Sequence, residues 1–185
     1  MTGIPLVVLD ACVLANFSLC DTLLRLAEPP RLFEPKWSEE IIRETTRTLE
    51  LKLGWPNSLT AHLEKELRAH FSEAWISGYQ SLIPRMTNDE KDRHVVAAAV
   101  HSEAAIILTL NLRHFRPEHL AMWGARALHP QSFPIEIFRK EQAVVMMKMQ
   151  QQAADRGRSL SQLLDILNTT VPDFVTIVSA AIPRE

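Results

Sequence analysis

Asp10, Glu44, Asp92 and Asn111 are the residues of this chain whose types and placing could do chemistry together. Asp10 ends the apolar run Leu6-Val7-Val8-Leu9, and Asn111 ends the run Ile106-Ile107-Leu108-Thr109-Leu110, so each stands at the tip of a strand buried on both faces. Glu44 and Asp92 fall in the N-terminal halves of two helices. In a parallel sheet such element ends converge on one edge, beyond the carboxyl ends of the strands. Three carboxylates gathered there repel one another unless a cation lies among them, and hard oxygen donors in that number suit Mg²⁺ or Mn²⁺. The matching reaction is phosphodiester hydrolysis, in which two ions about 4 Å apart activate a water and stabilise the leaving oxygen. Asn111 supplies a neutral carbonyl in place of a fourth charge, so the second ion is expected to bind loosely.

Each residue also has a plainer use. Asp10 can cap the helix that follows it, and Asp92 can be the acidic member of a capping box. Glu40 and Glu44, four apart, can form a solvated helix face, and Asn111 can be a turn residue. The four taken together, at the right element ends, favour a site. Around them, Arg43, Arg47, Lys91, Arg93, Arg113 and Arg116 could hold phosphates, although as surface charges they need no such role. His94 and His101 share a helix face but lack a third ligand at zinc spacing, so they are read as surface or supporting groups. Cys12 is read as a packing residue. His114, three residues after Asn111, is expected to give a hydrogen bond or a water-mediated contact rather than direct ligation.

The elements that must position these residues follow from periodicity. Helical spacing covers 13–27 and stops at Pro29-Pro30; a short strand or connector follows at 31–35. Ser38 is the N-cap of a helix over 39–53, which Gly54-Trp55-Pro56 breaks. Leu63, Leu67, Phe71 and Trp75 recur every fourth position and predict an amphipathic helix over 59–75, and 76–83 reads as strand or loop. Asn88 or Asp89 caps the next helix, with Asp92 in its first turn and Ala97-Ala98-Ala99 as a close-packing surface. A strand over 104–110 leads to a short helix or turn at 112–115. From Ala127 the composition changes: Pro130 and Pro134 mark a linker, and the remainder reads as helices over 135–154, 159–167 and from Pro172, with no further strand. Strands separated by helices predict an α/β fold with a parallel sheet. The apolar tail, with Val144, Met147, Phe174 and Ile177, must pack on the body, on a second copy or on a partner.

Composition narrows the field. With 185 residues and 46% hydrophobic content, the chain can bury one good core, and a net charge of -2 argues against coating nucleic acid by bulk electrostatics. The two cysteines suggest neither a disulfide framework nor a zinc site. No segment reads as a membrane span or an export signal, which fits a cytoplasmic protein. Glycine is scarce, and neither a P-loop nor a dinucleotide fingerprint follows the first strand.

The segments Leu-Asp-Ala-Cys-Val-Leu, Ser-Glu-Glu-Ile-Ile-Arg-Glu, Asp-Glu-Lys-Asp-Arg-His-Val-Val-Ala-Ala-Ala and Leu-Thr-Leu-Asn-Leu-Arg-His-Phe, in that order, resemble the PIN domain. That family includes the ribonuclease toxins of VapBC-type toxin–antitoxin pairs. The resemblance covers roughly residues 4–130. It implies a three-layer α/β/α domain with a central parallel sheet over 1–130, followed by a C-terminal helical extension over 131–185 that lies outside it. It also implies an acidic Mg²⁺ or Mn²⁺ pocket that cleaves RNA, an antitoxin protein as partner and a homodimer. Asp10 matches the family's first-strand aspartate, Glu44 its helix glutamate and Asp92 the acid at the start of the Ala-rich helix. Asn111 stands where the family normally carries a fourth acid. That departure keeps open a second reading, a PIN-fold module that holds RNA or a protein without cutting it. A haloacid-dehalogenase-like phosphatase also begins with strand-Asp, but it needs a second aspartate where this chain has Cys12.

Overall fold

Val7, Val8 and Leu9 have no exposed surface, as an uninterrupted apolar run must when it forms the middle strand of a sheet covered on both faces. In the computed structural model, which describes residues 3–182, this run is β1 (Leu6–Leu9). It pairs in parallel with β2 (Glu34–Ser38) on one side and β4 (Ile106–Leu108) on the other. β3 (Trp75–Ile76) extends the sheet beyond β2, and β5 (Arg126–Leu128) beyond β4, giving the all-parallel order β3-β2-β1-β4-β5. The helices flank this sheet in an α/β/α arrangement. The order reverses between β1 and β4, so the carboxyl ends of those two strands open the crevice where α/β proteins bind ligands.

The helices follow the sequence closely in places. α1 (Ala11–Leu14) and α2 (Phe17–Ala27) replace the single expected helix, because the Asn16 side chain accepts from the Leu19 backbone N–H and starts a new helix. α3 (Glu39–Leu53) begins at the Ser38 cap and stops at Gly54, whose φ of 69° is a left-handed conformation that glycine adopts without strain. α4 (Asn57–His70) ends five residues short of Trp75. The tryptophan instead joins β3 and packs edge-on to Trp37 and under the Arg68 guanidinium. Asp89 caps a 3-10 turn over Glu90–Asp92, so Asp92 is the N-cap of α5 (Arg93–His101) rather than a first-turn residue. In α5, Val95 to Ala99 are fully buried against the sheet, which the small alanine side chains permit. α6 (Pro117–Leu120) then leads to β5.

β5 corrects the expectation of no strand after residue 127. It is three residues long at the sheet edge, and its exposed Arg126 masks the strand pattern. The tail forms α7 (Ser132–Lys140), α8 (Gln142–Asp155), α9 (Leu160–Leu167) and α10 (Pro172–Ala180), with a break at Glu141 where one helix was expected. Ser159 and Gln162 cap α9 reciprocally. The tail lies against α2. Thr22 donates to Gln152 (3.0 Å), Asn16 donates to Thr170 (3.0 Å), and Lys148 Nζ donates to the carbonyls of Arg25 and Glu28 at 2.8 Å each. Phe133 packs edge-on to Phe33 at 5.1 Å. Val145, Met149 and Phe174 are buried, whereas Met147 is half exposed, so the inward face of α8 is rotated from the one expected. Among the described residues no helix is long and apolar enough to cross a membrane.

Candidate metal centre

The register of β1 against β4 sets Leu9 beside Leu108, which brings Asp10 and Thr109 to the same sheet edge. Asp10 is 3% exposed and its carboxylate is held from two directions. Oδ1 accepts from the Ala11 backbone N–H at 2.7 Å, the plainer capping role. Oδ2 accepts from the Thr109 hydroxyl at 2.7 Å and from Cys12 Sγ at 3.1 Å. Thr109, with no exposed surface, also accepts from the Asn111 backbone N–H at 3.0 Å. One hydroxyl thus ties the first strand tip to the turn that carries Asn111. Burial, and then the charge of Asp10, push the Cys12 thiol up to about 12, so Cys12 stays protonated and donates.

Asp92 stands at the mouth of α5. Its carboxyl is raised above the ordinary range, chiefly by burial and further by the charges of Asp10 and Asp89, against the opposing contact with His114. Asp10 and Asp92 are therefore brought together closely enough to feel each other. His114 Nδ1 lies 2.6 Å from Asp92 Oδ2. An oxygen of Asp89, an oxygen of Asp92 and a ring nitrogen of His114 all lie within 4.8 Å of one another, the one such donor group among the described residues.

Glu44 is placed differently. It is 45% exposed and turned to His94, whose Nε2 lies 3.3 Å from Glu44 Oε1. His94 Nδ1 lies 3.8 Å from Glu40 Oε2, and Glu40 also accepts from the buried Tyr79 hydroxyl at 3.2 Å. The imidazole is 5% exposed, and neither ring nitrogen meets its carboxylate at hydrogen-bonding geometry, which leaves two buried polar atoms without full partners. Burial lowers the His94 pKa, but Glu44, Glu40 and Asp10 together outweigh it, and the net shift is upward. The side chain of Asn111 is exposed and caps nothing.

The sequence reading missed three members of this edge. Thr109 reads from the sequence only as part of the second strand run, because its partner is 99 positions away. His94 lacked zinc spacing, and its role toward α3 depends on packing. Asp89 looked like a cap, which it also is.

The residues fit a divalent cation. Asp89 and Asp92 share a donor group with His114, Asp10 lies within the field of Asp92, and His94, buried beside Glu44, is under-bonded, an oxygen-rich set with nitrogen in reserve. Among known sequences, the profile of the PIN domain matches residues 6–113. A Mycobacterium tuberculosis protein named "Putative ribonuclease VapC50" is 35% identical over 148 residues, covering 78% of this chain and 73% of that protein. No solved structure matches the chain.

Proposed function

This chain belongs to the PIN-domain family, and from that premise we propose that it is an Mg²⁺- or Mn²⁺-dependent endoribonuclease, the toxin of a toxin–antitoxin pair acting in the cytoplasm. The observation that carries the reading is the Asp10 carboxylate, fixed by Thr109 and Ala11 at the point where the strand order reverses and within the field of Asp92. The nuclease domain spans 1–130, and 131–185 is a helical extension. Asp10, Glu44 and Asp92 hold the metal through carboxylates, and Asn111 offers its amide oxygen from the rim. The bound ion supplies Lewis acidity and an activated water.

This chain's own residues do the rest. Thr109 and Ala11 keep Asp10 from turning to solvent. His94 holds Glu44 near the edge. Arg43 and Arg47, exposed on α3, meet the phosphates of the RNA. The antitoxin, and a second copy in a homodimer, are the protein partners; exposed Phe17 and Leu59, beside Trp55 in a groove of about 770 Å³ between α2 and α4, support such contacts.

The test is RNA cleavage by the purified protein with Mn²⁺. EDTA is expected to stop it, and Asp10→Asn or Asp92→Asn to reduce it to background, with Glu44→Gln nearly as harmful and Glu40→Gln milder. Asn111, neutral where the family carries an acid, favours the alternative of a PIN-fold module that binds RNA or protein without cutting. Binding without cleavage across a broad RNA panel would establish that alternative.

A further inference from the structure

We propose that His114 is a nitrogen ligand of the divalent metal, completing with Asp92 and Asp89 a mixed nitrogen–oxygen centre that takes Mn²⁺ and later transition ions in preference to Mg²⁺. The inference rests on the metal-nuclease reading above and assigns residues that reading does not use.

Three observations carry it. The first is the donor geometry: carboxylate oxygens of Asp89 and Asp92 and a ring nitrogen of His114 stand within 4.8 Å of one another, brought together from two separate segments. The second is the contact between donors: His114 Nδ1 lies 2.6 Å from Asp92 Oδ2, so a cation that takes the place of the proton between them meets a nitrogen and an oxygen together. The third is Asn88, one residue before Asp89. It is 3% exposed, and neither its amide oxygen nor its amide nitrogen has a partner. Buried amides are ordinarily satisfied by protein, water or ligand, and this one is carried by the residue that precedes a donor.

The exposed Asn111 side chain, by contrast, is a weak neutral donor on the same turn. His114 gives that turn a stronger one. Oxygen-only sites suit Mg²⁺, whereas an imidazole donor adds affinity for transition ions and little for Mg²⁺.

The experiment loads the full-length protein with Mn²⁺ and reads pulsed electron paramagnetic resonance for coupling to ligand ¹⁴N. Calorimetry of Mn²⁺ and Mg²⁺ binding runs in parallel. Wild type is expected to show nitrogen coupling that changes to the ¹⁵N pattern on labelling with ¹⁵N-histidine, a control that needs no substitution. His114→Asp should lose the coupling while still taking up Mn²⁺, and His94→Gln should keep it. The Mn²⁺-over-Mg²⁺ preference should fall in His114→Asp by roughly tenfold or more, the loss that even outer-sphere partners of a ligand cause. Bound Mn²⁺ without nitrogen coupling in wild type, or coupling that survives His114→Asp, overturns this inference and leaves the nuclease reading standing. No Mn²⁺ uptake by wild type overturns both.

Discussion

Replacing Thr109 by valine keeps the shape of a side chain with no exposed surface and deletes one hydroxyl. That hydroxyl donates to the Asp10 carboxylate at 2.7 Å and accepts from the Asn111 N–H at 3.0 Å. A hydrogen bond to a charged group contributes about 1.5–3 kcal/mol, and a part-buried N–H left without a partner adds about 1 kcal/mol. The sum, about 3 kcal/mol, corresponds for a chain of this size to a fall in Tm of roughly 6–12 °C. Thr109→Ser keeps the hydroxyl and loses one methyl, about 1 kcal/mol. The expected order of stability is therefore wild type, then serine, then valine. Because Asp10 then loses the stronger anchor of its Oδ2, the valine variant should also bind Mn²⁺ more weakly, and ligand stabilisation should widen its gap to wild type when Mn²⁺ is added. Thermal melts with and without Mn²⁺ decide it. A valine variant that melts with wild type, or above the serine variant, would refute the claim that this hydroxyl holds Asp10.

Two further outcomes are expected. Lys148→Met removes an ammonium that caps the carbonyls at the end of α2; burial already lowers the Lys148 pKa and offsets part of the gain, so the net loss should be about 2 kcal/mol, visible in urea unfolding as a lower midpoint. Burial pushes the Cys20 thiol up to about 12 from an unfolded value of about 8.5, so its contribution to stability is complete below that unfolded value and is lost as pH rises toward the folded one. Between pH 8.5 and pH 10 this amounts to roughly 2 kcal/mol. Cys20→Ala should start less stable but decline less over that interval, and parallel declines would show that the thiol is not shielded.

The parts of the fold that the sequence declares are those decided locally. β1 and β4 are continuous apolar runs, Ser38 and Ser159 are caps whose hydroxyls accept from the backbone N–H three residues on, and Gly54 ends α3 with a conformation few other residues tolerate. What it hides is decided by distant partners. β5 exists because Ile106 to Leu108 offer it an edge, and Trp75 leaves its helix because Trp37 is waiting in β2. The site divides along the same line. Asp10 and Asp92 could be named from strand tip and helix start, whereas the pairing of Glu44 with His94 and of Asp92 with His114 depends on how three separate segments close on one edge.

The brace between α2 and α8 has a consequence for the order in which the molecule assembles. Thr22 meets Gln152 across 130 positions of sequence, and Lys148 reaches back 123 positions to Arg25. Closing a loop of that length costs about 4 kcal/mol in chain entropy before any contact forms. Synthesis proceeds from the N-terminus, so Asp10, Glu44, Asp92 and His114 all leave the ribosome well before Lys148 does. A chain interrupted near residue 130 carries every acid of the candidate site, yet the carbonyl end of its second helix still lacks the Lys148 ammonium. The nascent protein has its chemistry in place before the tail that steadies it has been made.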